Sequence, residues 1–240
     1  MSDRWFQCEV PRPDAERRLV CLPHAGGSAA YFRGWGERLA DFEVRAVRYP
    51  GRAERIAEPA AQDMIVLGDE LAEALVPLAD RSLVLLGHSL GAVLALETAR
   101  ALESRGIEVA HLFASGSRNA PLPEPEPFDD DPEAVAAHLL KLGGTDAELA
   151  ADPWFRELVL PYVIGDGRMF HAYPNPPGPL LSCPVTAIVG DMDEDADLRP
   201  WPSLTGGPFA QHVRPGGHFY LTDEPPFDLV NAPFATVSVS

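Results

Sequence analysis

The stretch Leu83-Val84-Leu85-Leu86-Gly87-His88-Ser89-Leu90-Gly91-Ala92-Val93-Leu94-Ala95 constrains this chain more than any other. A short apolar run of strand length ends in Gly-x-Ser-x-Gly, and a helical pattern begins at once. Strand, sharp turn and helix in that order form the setting in which a serine is held on a strained backbone with its hydroxyl exposed. Gly87 and Gly91 carry no Cβ, so strand and helix can close on each other around Ser89. The N-terminus of the following helix brings partial positive charge to the place where an oxyanion would form, with the Leu90 amide as donor. The competing reading is a plain Gly/Ser turn between two buried elements. A catalytic reading requires more: elsewhere the chain must supply a base, an orienting acid and a second amide donor.

A length of 240 residues fits one domain, 1–240, with a sizeable core. The net charge of −17 argues against a nucleic-acid surface. No apolar run approaches 18 residues, so no membrane span is expected. The first residues lack a basic stretch followed by an apolar one, so no secretion signal is expected either. Three cysteines, Cys8, Cys21 and Cys183, are widely spaced and odd in number, which fits a reducing cytoplasm better than a disulfide framework or a zinc site.

Arg18 to Pro23 reads as a buried strand running into His24-Ala25-Gly26-Gly27-Ser28. This turn lets backbone approach a ligand and makes the Ala25 amide the candidate second oxyanion donor. A helix over about 29–40, a strand over 44–48, a helix over 64–78, the strand before Ser89, its helix to about 104 and a strand over 109–115 follow. Alternating strands and helices predict a mostly parallel central sheet flanked by helices, an α/β architecture.

That rhythm breaks between two proline clusters, 121–127 and 174–179. The helical segment they bracket suggests a lid insertion over about 119–180. Its large apolar residues, among them Trp154, Phe155, Tyr162, Met169 and Phe170, are the candidate lining of a substrate chamber. An ordinary helical excursion packed on the core is the alternative.

After the strand at Val185–Val189 come Gly190-Asp191-Met192-Asp193-Glu194-Asp195. A calcium loop is excluded, because Ala196 stands where its glycine belongs and Pro202 where its glutamate belongs. A carboxylate just past a strand end fits a catalytic acid instead. A last strand at 209–213 leads into Gly216-Gly217-His218, which places the general base at His218. The chain order Ser, Asp, His is that of α/β-hydrolases. His88 is expected to shape the turn beside Ser89; His111, His138, His171 and His212 show no partner pattern.

Taken together, Pro23-His24-Ala25-Gly26-Gly27-Ser28, Tyr49-Pro50-Gly51-Arg52, Gly87-His88-Ser89-Leu90-Gly91, Gly190-Asp191-Met192-Asp193 and Gly217-His218-Phe219-Tyr220 resemble the type II thioesterases of polyketide and nonribosomal peptide synthases. The resemblance runs from about Trp5 to Leu221. It implies an α/β-hydrolase fold and hydrolysis of acyl groups from the phosphopantetheine arm of acyl or peptidyl carrier proteins. It also implies a Ser89–His218–Asp193 triad that needs no metal or redox cofactor. The family pattern favours Asp193 as the acid, with Asp191 and Asp195 still open. Ile164, Gly167 and Glu194 depart from that pattern and bear on substrate preference and lid behaviour. A medium-chain acyl-releasing enzyme, a cyclising thioesterase, a small-molecule esterase and a non-catalytic binding module are the alternatives.

Six arginines against four acids between Tyr31 and Ile56 form the one cation-rich stretch, whereas Pro121–Asp152 holds nine acids and one lysine. Arg52 and Arg55, just past a strand end, are therefore the candidates for meeting an acidic carrier or its phosphate; the alternative is that these arginines balance Glu37, Asp41, Glu43 and Glu54.

Overall fold

A computed structural model describes residues 2–122, 124, 127–174, 178–194 and 197–235. Its strands are β1 (Phe6–Gln7), β2 (Arg17–Leu22), β3 (Phe42–Val47), β4 (Ser82–His88), β5 (Val109–Ser115), β6 (Ser117–Asn119), β7 (Val185–Gly190), β8 (Asp197–Arg199) and β9 (Phe209–Arg214). Its helices are α1 (Ser2–Trp5), α2 (Trp35–Arg38), α3 (Met64–Leu75), α4 (Leu90–Ser104), α5 (Pro132–Leu142), α6 (Ala147–Ala151), α7 (Leu160–Ala172) and α8 (Phe227–Asn231).

Seven strands form one sheet in the order β1-β3-β2-β4-β5-β7-β9. Only β1 runs antiparallel, pairing Phe6 with Val47 at the edge. The apolar runs of β2, β4 and β5 alternate between the two faces, as a doubly covered parallel sheet requires. Val20, Leu22, Leu83, Leu85 and Leu112 join the core under α3 and α4. Leu19, Cys21, Val84, Leu86 and Phe113 join the opposite core, with Phe32, Trp35 and Tyr220.

The sheet grows in one direction from β2 to β3 and in the other from β4 onward. The crevice beyond the carboxyl ends of β2 and β4 is thus a topological switch point, where ligands bind in such sheets. Leu22 pairs with Gly87, so the two strand ends lie level and their following loops emerge side by side.

Between β6 and β7 the chain makes α5, α6, a π-helical turn at Phe155–Val159, and α7. Pro161 near the start of α7 has no N–H for the Glu157 carbonyl, which accounts for the wider turn just before it. This insert has its own small core of Val135, Phe155, Leu160, Val163 and Ile164. Pro123, Pro125, Glu126 and 175–177, within the two proline clusters, lie outside the described residues.

Candidate active site

The 87–91 turn is as tight as its glycines imply. A Cβ on Gly87 would stand 1.9 Å from the Gly91 carbonyl oxygen, and one on Gly91 2.2 Å from that of Leu22. Ser89 itself has φ +56° and ψ −122°, and among the described non-glycine residues only Ala53 shares a positive φ. Such a conformation costs about 1–3 kcal/mol and persists because Ser89 N–H donates to Ser115 O at 2.8 Å and Ala92 N–H to Ser89 O at 2.8 Å. Serine ahead of a helix normally caps it with its hydroxyl; Ser89 makes no such bond. Of the first-turn amides of α4, that of Ala92 is taken by Ser89 O, and that of Leu90 is the candidate donor to an anion.

The β2 loop lies alongside. Gly27 N–H donates to His24 O at 2.9 Å, closing a turn in which Gly26 takes φ +75°, the conformation that favours glycine. Tyr49 Oη donates to Pro23 O at 3.0 Å and fixes the approach to that turn. Gly26 N–H donates to Asp166. Two of the turn's amides are thereby assigned to protein acceptors, and Ala25 is its candidate oxyanion donor.

On the other side of Ser89, the acid and histidine loops are tied to each other by backbone. Asp191 N–H donates to Arg214 O at 2.8 Å and Met192 N–H to Gly216 O at 3.0 Å. A Cβ on Gly190 would meet the Gly216 and Gly217 carbonyls at 2.4 Å, so this junction requires glycine. Asp191 Oδ1 accepts from Gly216 N–H at 2.9 Å, which makes Asp191 a brace for the histidine loop. Asp193 reaches the histidine instead: His218 Nδ1–H donates to its Oδ2 at 2.9 Å, with both residues 4% exposed. A carboxylate only accepts, so this bond holds a proton on Nδ1, and in the neutral ring the lone pair is on Nε2. Asp195 lies outside the described residues.

His88 sits between these parts. Its ring centroid is 5.1 Å from that of His218, and its Nδ1 shares a hydrogen bond with Ser115 Oγ at 3.0 Å. Ser115 Oγ in turn shares one with Tyr220 Oη at 2.7 Å. Burial, then the charges of His218 and His24, hold His88 well below the usual imidazole range. His24 is pushed down to about 3 by burial, His218 and Arg52. The neutral His88 ring thus stands beside His218. Gly116, at φ +63°, is the spacer, since a Cβ there would lie 2.9 Å from His88 Cε1 and 3.2 Å from His218 Cε1.

Other sequence expectations change. Arg52 and Arg55 are 4% and 6% exposed and so are not surface cations. Arg52 is paired with Asp166 and lies between the rings of Tyr49 and Tyr162, at 5.3 and 5.0 Å. Arg55 donates to Arg48 O and Glu58 and covers the Trp5 ring at 4.0 Å. Proximity to a strand end is a guide to place but not to exposure: Arg52 is drawn inward by the buried Asp166 carboxylate, and Arg55 by the Trp5 ring and the Arg48 carbonyl. The insert's large side chains also serve packing. Trp154 faces solvent at 64% exposure, Phe155 lies in the insert's own core, and Met169 and Phe170 pack on the main core. Tyr173 anchors the end of α7, donating to Glu97 of α4, which also accepts from Arg100 Nη1 at 2.7 Å. Asp166, Ser115 and Tyr220 went unnoticed as site residues. The one available signal was Asp166 itself, a lone acid in the apolar run Val163-Ile164-Gly165-Asp166.

Among the described residues, no helix is long and apolar enough to cross a membrane, and no three His, Cys, Asp or Glu side chains are grouped to hold a metal ion.

A parallel sheet with a strained serine after one strand, and a histidine–aspartate pair on the loops after two others, defines an α/β-hydrolase. A thioesterase-domain profile matches residues 17–230, and the chain belongs to that family of thioester hydrolases. Thioesterase PikA5 of Streptomyces venezuelae is 40% identical over 230 residues, covering 93% of this chain and 82% of the relative. The medium-chain S-acyl fatty acid synthase thioesterase of Rattus norvegicus is 36% identical over 230 residues, covering 92% and 87%. Among solved structures, the type II thioesterase BorB from the borrelidin biosynthetic cluster superposes with a TM-score of 0.81. It is 35% identical, with 98% and 99% of the two chains covered.

Proposed function

We propose that this chain is an editing hydrolase that clears acyl groups from the phosphopantetheine arm of carrier proteins in a polyketide or nonribosomal peptide synthase. The observation that carries the proposal is the His218–Asp193 bond beside the strained Ser89, in a chain similar along nearly its whole length to type II thioesterases.

In this reading Ser89 Oγ attacks the thioester carbonyl as His218 Nε2 takes its proton. Asp193 holds the required tautomer and stabilises the imidazolium. The Leu90 and Ala25 amides receive the oxyanion, a contribution of about 3–4 kcal/mol per donor in related sites. Collapse expels the thiolate, whose pKa of about 8.5 makes it a ready leaving group, and His218 returns the proton. Water activated by His218 then attacks the acyl-serine, releasing the acid and restoring Ser89. The 119–180 insert is the lid over this site.

The test is a panel of acyl-carrier thioesters of graded chain length. Turnover of carrier-bound short acyl groups, lost in Ser89→Ala, is the expected result; wild-type turnover in that variant overturns the reading. The similarity to medium-chain fatty acid synthase thioesterases favours one second reading, release of medium-chain acyl groups. A rate maximum at those lengths would select it.

A further inference from the structure

The helical insert meets the His24–Gly27 turn through a buried, charge-compensated contact. Gly26 N–H donates to Asp166 Oδ2 at 2.8 Å. Arg52 holds the same carboxylate with both terminal nitrogens, Nη1 to Oδ2 at 2.6 Å and Nη2 to Oδ1 at 2.5 Å. Arg52 Nη1 also donates to Gly27 O, at 3.4 Å. Asp166 and Arg52 are 3% and 4% exposed. Val163, one turn earlier on α7, packs so closely that a Cβ on Gly26 would lie 2.5 Å from its Cγ2.

This arrangement does more than fasten the insert. The bond from Gly26 N–H fixes the plane of the Ala25–Gly26 peptide, and the amide of Ala25 belongs to the adjoining peptide. A bidentate arginine–carboxylate pair is stiff and strongly directional. An oxyanion donor needs that stiffness, because its effect depends on being aimed before charge develops. Given the reading of Ser89 and Ala25 proposed above, we infer that Asp166, held by Arg52, is a positioning residue for the oxyanion loop. Helix α7 aims the Ala25 amide through Gly26, so seating of the lid and completion of the oxyanion hole are one event. A lid lifted to admit an acyl chain gives up the Asp166–Gly26 bond, and hydrolysis waits for its return.

A purely stabilising pair and a positioning pair respond differently to substitution. Asp166→Asn leaves the Arg52 charge buried without its counter-ion, which destabilises in either case. The double variant Arg52→Met/Asp166→Leu removes both charges, a change that is often neutral for stability, but Gly26 N–H loses its carboxylate. The assay is hydrolysis of short- and long-chain acyl N-acetylcysteamine thioesters by the full chain, with thermal melts alongside. The double variant is expected to lose kcat by about 10- to 100-fold, with KM within about twofold and an equal loss for both chain lengths, whereas Asp166→Asn, whose amide oxygen can still accept from Gly26 N–H, loses less. Asp166→Glu, which keeps the charge on a longer arm, is expected to recover part of the loss. If Asp166→Asn fails to fold, the double variant and Asp166→Glu carry the test.

Return of kcat to within twofold of wild type in a folded double variant overturns the inference. So does a loss that resides in KM or grows with chain length, since it would make Asp166 part of an acyl-binding wall. Full activity in Ser89→Ala would instead overturn the reading of the site itself, so the two failures are distinct.

Discussion

Substituting Gly91 by alanine tests whether catalysis depends on the close approach of α4 to the end of β2. The new Cβ would stand 2.2 Å from the Leu22 carbonyl oxygen and 2.6 Å from that of Pro23. The first distance is about 1.2 Å short of an ordinary 3.4 Å contact. Both obstacles are backbone, so a side-chain rotation cannot relieve the clash. Either α4 withdraws, taking Leu90 and Ser89 with it, or the β2 end withdraws, taking the His24–Gly27 turn. Overpacking of this kind destabilises by about 1–3 kcal/mol, which for a domain of this size lowers Tm by about 2–12 °C. The effect on rate is larger in proportion, because a misplacement of about 1 Å between reacting groups costs about 100-fold, or about 2.7 kcal/mol. Circular dichroism melts and steady-state hydrolysis of an acyl N-acetylcysteamine thioester read the two effects on one preparation. A folded Gly91→Ala enzyme with kcat within threefold of wild type would refute the reasoning, since it would mean that the spacing of the two loops is not what sets the rate.

The same change at Gly165 should act with the opposite sign. It lies inside α7 with nothing within 4 Å of a built Cβ, so Gly165→Ala should stabilise by about 0.5–1 kcal/mol, read as a rise in Tm. Asp193→Asn should lower kcat by about 10⁴-fold through the wrong His218 tautomer. Asp191→Asn should stay near wild type, because its amide oxygen can still accept from Gly216 N–H, whereas Asp191→Ala should not; kinetics on all three variants decide the assignment. Stability should also fall in mild acid. Burial above all holds His24 down to about 3 and His111 down to about 4, below the ordinary 6.5. The unfolded chain therefore takes up protons below pH 6.5 that the folded chain refuses, and stability is complete above that value and declines beneath it. At pH 5 the two histidines together remove about 4 kcal/mol. A Tm unchanged between pH 7.5 and 5 would contradict this, and His111→Gln should flatten the decline.

The amino-acid order alone settles the backbone of this site. The apolar run before Gly87 has strand length and ends at a turn signal, and two glycines four residues apart permitted the turn at Ser89. These are local properties, settled by sterics within a few residues, and so they are legible without a fold. The chain order serine, aspartate, histidine was legible for the same reason, since each follows its own strand, but the choice of Asp193 over Asp191 and Asp195 rested on the family resemblance alone. The fold, by contrast, sets which groups face each other across distance in the chain. It separated Asp193, which meets His218, from Asp191, two residues earlier, which braces Gly216. It turned Arg52 inward to Asp166, 114 residues away, and set Asp166 on Gly26, 140 residues away. It also buried Phe155 and Met169 in two different cores, although in sequence they read as one apolar set. Such pairings are fixed by strand order and by the need of each buried charge or donor for a counterpart. That requirement acts through space, and spacing along the chain carries no record of it.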